Sequence, residues 1–171
     1  GPGPRGACGG GKPGARRRLD QIEKSGIVVL LDQVTDPHNV GAILRTCAAF
    51  NVTALVATAR HSPEASAVLF KSASGAFEHV PFVKVTNLSR AMAELKDYGF
   101  RILGLDSDAP EDIAAVDRQP PVAIVLGAEG KGLRQLTRES CDHLVRLDMN
   151  GPIRSLNVSN ACAVTLYALT R

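Results

Sequence analysis

A glycine-rich segment in the last third of the chain has a composition suited to binding chemistry. Residues 126–133, Leu-Gly-Ala-Glu-Gly-Lys-Gly-Leu, directly follow a short apolar run. Bare backbone loops between a strand and a helix often bind a phosphate or nucleotide, because main-chain groups can approach the ligand closely. The spacing matches neither a Walker A motif nor G-x-G-x-x-G. The segment predicts a nucleotide-type ligand, with a tight turn at positive φ as the alternative.

A second candidate segment is rich in serine and asparagine. Residues 149–161 read MNGPIRSLNVSNA, and four short polar side chains crowd the start of a predicted helix: Ser155, Asn157, Ser159 and Asn160. These are more hydrogen-bonding groups than the capping of one helix requires. The excess indicates a ligand, although capping alone would also account for part of it.

A third segment, residues 32–45, combines an asparagine and an arginine near the start of a helix. Asp36-Pro37 favours an extended or turn conformation before the helix begins, and Asn39 follows at the predicted helix start. Arg45 comes six residues later, about 120° around the helix from Asn39. Taken singly, Asn39 is more simply explained as a helix cap and Arg45 as a solvated helix residue.

A parallel α/β sheet is the structure expected to position these segments. Short apolar, β-branched runs predict strands at residues 27–32, 53–57, 80–85, 100–106, 122–126 and 143–148. Caps and helical spacing predict helices at 39–50, 62–71, 87–98 and 133–139, and a last one that begins at Ser155 or Asn157. This alternation predicts a mostly parallel sheet with helices on both faces. Ligands of such sheets bind beyond the carboxyl ends of the strands, where all three segments lie.

The three segments together resemble the motifs of one family. DPHNVGAILRTC (36–47), IVLGAEGKGL (124–133) and MNGPIRSLNVSNA (149–161) are similar, in this order, to the three motifs of the SpoU (TrmH-like) RNA 2′-O-ribose methyltransferases of the SPOUT superfamily. The resemblance covers about residues 26–171. It implies an α/β fold with a C-terminal trefoil knot, an exception to the rule against knots. It also implies a homodimer whose active site is completed across an interface that contains the last helix and the helix after Asn39.

The resemblance further implies S-adenosylmethionine as the cofactor, bound in the knot by backbone of the second and third motifs. On this chain the corresponding positions are Leu126, Gly127, Leu147, Met149 and Leu156. Glycine would let main-chain groups reach the edge of a planar, largely apolar adenine.

Catalytic roles also follow from the resemblance, at Asn39, Arg45, Glu129, Ser155 and Asn157. A ribose 2′-hydroxyl is a poor nucleophile, so its proton must be accepted or its developing charge stabilised. Arginine stays charged, so we expect Arg45, beside Asn39, to clamp the adjacent phosphate and stabilise the nascent alkoxide, while phosphate or water assists proton removal. Glu129 would orient Arg45 or a ribose hydroxyl. Ser155 and Asn157 would hold the loop and the target nucleotide.

Composition and charge limit the classes of protein that remain. The chain has 171 residues and no apolar run near the roughly 20 residues of a membrane span, which argues against a membrane protein. Five of the 20 basic residues and none of the 17 acidic ones lie in residues 1–18. We therefore expect a flexible basic arm over 1–18 and a methyltransferase domain over 19–171, with local rather than broad electrostatic contact to RNA.

The cysteines and the motifs narrow the other function classes that the chain could belong to. Four cysteines without C-x-x-C spacing argue against a zinc site and indicate reduced thiols in the cytoplasm. A non-catalytic RNA-binding or ribosome-assembly protein on the same scaffold is the main alternative, although it should have lost some of the catalytic set. A Rossmann oxidoreductase would need a glycine fingerprint after the first strand, which the chain lacks. Family members often carry an additional amino-terminal RNA-binding domain, and this chain has only the arm, so ribosomal and transfer RNA both stay open as substrates.

Overall fold

Eight strands form one sheet in the computed structural model, which describes residues 16–59, 69, 71, 73 and 75–171. The strands are β1 (Arg16–Arg17), β2 (Ile27–Asp32), β3 (Ala54–Thr58), β4 (Phe82–Val85), β5 (Arg101–Leu105), β6 (Glu111–Asp112), β7 (Val122–Gly127) and β8 (His143–Arg146). The α-helices described are α1 (Pro37–Ala49), α2 (Leu88–Asp97), α3 (Gln135–Ser140) and α4 (Val158–Leu169). Three short 3-10 turns, Leu19–Gln21, Ala76–Glu78 and Ile113–Ala115, complete the described elements.

The order of the strands across the sheet is β1-β4-β3-β2-β7-β5-β8-β6, and each pair of neighbours is parallel. This confirms the predicted mostly parallel α/β sheet. Because the strands run in one direction, the carboxyl ends of β2, β7, β5 and β8 meet at the same edge. In the central ladder Asp32 lies opposite Gly127, so the chain leaves both central strands at neighbouring points.

Helices cover both faces of the sheet, as predicted. Alternate residues of β2 point to opposite sides. Val29 and Leu31 pack in a cluster with Ile43 of α1 and Leu166 of α4, whereas Leu30 packs in a second cluster with α2. All six residues of β2 are buried, as expected for a central parallel strand that is covered on both faces.

Helix α1 begins two residues earlier than the sequence predicted. Asp36 is the cap, and its side chain accepts a hydrogen bond from the backbone N–H of His38 at 3.0 Å. Pro37 occupies the first helical position, where its fixed φ suits the helix and its missing N–H is not needed. Asn39 therefore lies inside the first turn and does not cap the helix.

Two strands were not predicted, β1 and β6, and each has only two residues, too few to show a period. Arg16 and Arg17 of β1 pair with Phe82 and Val83 of β4, so two residues of the predicted arm belong to the sheet. The predictions for residues 1–15 and for most of the 62–71 helix lie outside the described residues. The trefoil knot stays a prediction. Among the described residues, the helices are too short or too polar to cross a bilayer.

Candidate active site at the carboxyl edge of the sheet

A cavity of about 430 Å³ opens beyond the carboxyl ends of β5, β7 and β8. Four chain segments supply most of its lining: residues 105–108, 126–133, 146–149 without Asp148, and 154–158. Its volume lies in the range of small-molecule sites, and its place at the sheet edge is the usual one for α/β proteins. A ligand of cofactor size fits this cavity.

Eight of the ten site residues predicted from the sequence line this cavity. They are Leu126, Gly127, Glu129, Leu147, Met149, Ser155, Leu156 and Asn157. The other two, Asn39 and Arg45, belong to α1 and do not line it; Asn39 is half-buried and Arg45 is exposed. Within one chain the structure therefore brings the second and third motifs together and leaves the first apart.

The glycine-rich loop doubles back on itself directly after β7. The backbone N–H of Gly132 donates to the carbonyl of Ala128 at 2.8 Å, and the two residues form an antiparallel bridge. A Cβ atom on Gly127 would lie 2.3 Å from the carbonyl carbon of Gly132 and 2.4 Å from its oxygen. Gly130 and Gly132 have φ of 77° and 67°, in the left-handed region. The loop is thus both a tight turn and a cavity wall, so the two interpretations of its glycines are compatible.

Asn157 connects this loop to helix α4. Its Oδ1 accepts from the backbone N–H of Ser159 at 2.9 Å and so caps the helix. Its Nδ2 donates to Oε1 of Glu129 at 2.7 Å. Ser159 adds a hydroxyl hydrogen bond to the same Oδ1 at 2.5 Å. Glu129 is therefore oriented by Asn157 of its own chain.

The loop that follows β5 also belongs to the cavity and was not among the predicted site segments. Asp106, Ser107 and Asp108 line the cavity, and Asp106 is paired with Arg138 of α3. The signal was present, because these residues follow the carboxyl end of a predicted strand in the same way as the other site loops. The acidic residues of the segment alone do not indicate a particular ligand or reaction.

The carboxylate of Asp112 holds the segment after β8 in place. Asp112 accepts from the backbone N–H groups of Ala114 at 2.7 Å and of Asp148 at 3.0 Å. These hydrogen bonds, the one from Ala114 foremost, lower the pKa of Asp112 despite an opposing effect of burial. Arg146 adds a 2.8 Å ion pair with Asp148. The backbone is thereby held directly before Met149, at the cavity wall.

The described residues contain no group of three or more His, Cys, Asp or Glu that could hold a metal ion.

Comparison with known proteins places this site in a family. Residues 26–167 match the SpoU rRNA Methylase family. A Bordetella pertussis protein, 23S rRNA (guanosine-2′-O-)-methyltransferase RlmB, is 47% identical over 153 residues, which are 90% of this chain and 62% of that protein. The chain thus spans about three fifths of the length of this curated relative.

Solved structures agree with the sequence match. The SpoU methyltransferase AviRb from Streptomyces viridochromogenes superposes with a TM-score of 0.82 at 27% identity, over 91% of this chain and 63% of that one. Its complex with the cofactor AdoMet gives a TM-score of 0.75 at 28% identity, over 84% of this chain and 56% of that one. The sequence match and the structural superposition point to the same family, and the chain belongs to the SpoU rRNA Methylase family.

Proposed function

We propose that this chain catalyses 2′-O-methylation of a ribose in ribosomal RNA with S-adenosylmethionine as methyl donor. The observation that carries the proposal is that residues 127–133 and 155–158, far apart in sequence, line one cavity of about 430 Å³. The name of the Bordetella pertussis relative, a 23S rRNA methyltransferase, supports ribosomal RNA as the substrate class. A cytoplasmic location follows from that substrate.

The lining of the cavity fits the cofactor. Leu126, Leu147 and Leu156 give apolar walls for an adenine, and the absence of a side chain at Gly127 lets the backbone of Gly132 fold against it and shape the cavity wall. AviRb binds AdoMet in the homologous structure. S-adenosylmethionine, when bound, supplies an electrophilic methyl group on a sulfonium. The chain's own task is then to bind and orient the ribose and to stabilise the charge on its oxygen.

Glu129 and Ser155 line the cavity, and we infer that they bind the ribose there. The hydrogen bond from Asn157 occupies Oε1 of Glu129, and Oε2 has no hydrogen-bond partner among the described residues. That oxygen can accept a hydrogen bond from a ribose hydroxyl. Ser155 is exposed at the cavity and can donate to or accept from the target nucleotide.

Arg45 requires a second copy of the chain to reach such a ribose. It is exposed on α1, which packs against α4, and α4 in turn exposes Val164 and Tyr167, 47% and 55% accessible. Apolar side chains exposed side by side on a helix indicate an interaction surface. We therefore propose a homodimer in which Arg45 of one protomer faces the cavity of its partner. Its guanidinium would clamp a phosphate in two-pronged geometry and stabilise the nascent alkoxide, while phosphate or water takes the proton.

Transfer of labelled methyl groups to RNA tests the proposal. The chain is incubated with tritiated S-adenosylmethionine and RNA from cells that lack the gene, with ribosomal and transfer RNA in separate reactions. We expect ribosomal RNA to acquire an alkali-stable 2′-O-methyl mark. Methylation of transfer RNA alone would reassign the substrate. Cofactor binding in calorimetry without transfer to either RNA would favour the non-catalytic RNA-binding alternative.

A further inference from the structure

A fully buried carboxylate lies at the end of the central strand β2. The side chain of Asp32 has 0% exposure, and it is paired with Arg134, 102 positions later in the chain. Its Oδ1 accepts from Nε of Arg134 at 2.6 Å, and its Oδ2 accepts from the backbone N–H of Arg134 at 2.8 Å. A buried carboxylate is costly without such partners, so Asp32 and Arg134 constrain each other strongly.

The pair spans the two ends of the glycine-rich loop. Asp32 lies opposite Gly127, the first residue of the loop, in the β2–β7 ladder. Arg134 follows the last residue of the loop and is the N-cap of α3. Between these ends the Ala128–Gly132 bridge is the main internal restraint. One carboxylate therefore fixes where the loop begins relative to where it ends.

Neither member of the pair lines the cavity, whereas all residues from 126 to 133 do. Any effect of Asp32 on a ligand must therefore pass through the shape of the loop. A loop held in its bound shape before the ligand arrives has little conformational freedom to lose on binding.

We infer that Asp32 is a positioning residue for the cofactor loop and acts by clamping Arg134; this inference rests on the proposed function. The clamp sets cofactor affinity and leaves the chemical step to the residues at the cavity. The role differs from that of a purely stabilising ion pair, which would change the folded fraction without changing the affinity of the folded protein.

The variant Asp32→Asn tests the clamp because it keeps the shape and removes the charge. An asparagine can accept one of the two hydrogen bonds, but its amide N–H₂ then faces the other donor. We expect the dissociation constants of S-adenosylmethionine and S-adenosylhomocysteine, measured by calorimetry, to rise on the order of tenfold. Hydrogen exchange of the amides of residues 128–133 should accelerate without any ligand, and kcat at saturating cofactor should change by less than about threefold.

A second variant and a matched control complete the experiment. Arg134→Gln keeps the backbone hydrogen bond to Asp32 and changes a half-exposed side chain. It should therefore raise both dissociation constants less than Asp32→Asn does. This variant tests the clamp if Asp32→Asn does not fold. The double variant should bind no more weakly than Asp32→Asn, because both changes break one interaction. Asp117→Asn removes another aspartate–arginine pair, to Arg101 at 2.7 Å, at the amino end of β5, and should leave both constants unchanged.

The outcomes separate the two proposals. If the wild-type chain binds S-adenosylmethionine and Asp32→Asn binds it equally tightly, the positioning role is wrong and the proposed function stands. If both variants lose stability and kcat but keep the wild-type dissociation constants, the pair is only structural and the inference is again wrong. A wild-type chain that binds no S-adenosylmethionine contradicts the proposed function itself.

Discussion

Asn157 donates from Nδ2 to Oε1 of Glu129 at 2.7 Å while its Oδ1 caps helix α4. One side chain thus caps a helix and lines the cavity of the candidate site, two roles that the sequence presents as alternatives. Because an amide carries both a donor and an acceptor group, asparagine can fill both roles at once, whereas an ionised aspartate accepts only and could not donate to Glu129. The contact also fixes the second motif relative to the third.

The first prediction concerns the charge of Glu129. Glu129→Gln keeps an oxygen that can accept from Asn157, so we expect the melting temperature and cofactor affinity to stay close to wild type. Loss of the negative charge near the ribose should lower kcat on the order of a hundredfold. Glu129→Ala should lose both the activity and some stability. Full activity of the glutamine variant would show that Glu129 serves only to orient Asn157.

A second prediction follows from the close approach of Gly127 and Gly132. In Gly127→Ala the new Cβ would lie 2.3 Å from a backbone carbon, so the loop must shift and the cavity must change shape. We expect S-adenosylmethionine binding, measured by calorimetry, to weaken by more than about a hundredfold. Gly151→Ala is the matched control, because a Cβ at Gly151 meets no atom within 4 Å. Equal binding by both variants would contradict the role of Gly127.

The sequence predicted the central strands well because their signal is local. β2 and β7 are unbroken apolar runs, and burial on both faces requires such runs. Helix α1 begins two residues before its predicted start, because Asp36 caps it and Pro37 suits the first helical position. The pairing of Asp32 with Arg134 could not be predicted, since it joins residues 102 positions apart and depends on the strand order.

The residues of the candidate site likewise fall into those that local sequence signals predict and those that they do not. Motif residues on loops after buried strands were predicted together, because parallel strands bring their carboxyl ends to one edge. The loop at Asp106–Asp108 lacked a recognisable motif and was missed. Arg45 lies outside the cavity of its own chain, and its proposed place at a partner's cavity rests on a second protomer, which local sequence signals do not specify.

A third prediction concerns stability at alkaline pH. Burial raises the pKa of the Cys141 thiol from about 9 to about 12. Unfolded chains ionise this thiol near pH 9, whereas the folded protein keeps it protonated until about 12, so its contribution to the free energy of unfolding is present below pH 9 and declines as the pH rises toward 12. Between about pH 8 and about pH 10.5 the melting temperature of Cys141→Ala should therefore fall less than that of wild type. Parallel pH profiles would contradict this assignment.

A fourth prediction tests the proposed dimer surface on α4. Tyr167 is 55% exposed beside Val164, and a carboxylate there would be desolvated in an apolar interface. We expect Tyr167→Glu to be a monomer in analytical ultracentrifugation, with an unchanged circular dichroism spectrum. Leu136→Glu replaces an equally exposed apolar residue, 59% accessible, on α3 and should leave the association state of the wild type. A dimer that survives Tyr167→Glu would exclude this surface.

The last prediction asks which chain supplies Arg45 to each cavity. Arg45 does not line the cavity of its own chain, so Arg45→Ala should abolish methyl transfer while the dissociation constant of S-adenosylmethionine stays nearly that of wild type. Gly127→Ala should be inactive for the opposite reason, because the new Cβ would damage its cofactor site while its arginine stays intact. Co-expression of the two variants with different affinity tags allows mixed dimers to be isolated and assayed.

If the active site is shared, a mixed dimer contains one cavity with an intact loop and an intact arginine from the partner. Random pairing of equal amounts gives half mixed dimers, each with one working site of two, so the unfractionated mixture should recover about a quarter of wild-type activity. Isolated mixed dimers should reach about half. If Arg45 instead acts at the cavity of its own chain, both sites of a mixed dimer are defective. Mixed dimers without activity would therefore contradict the two-protomer mechanism.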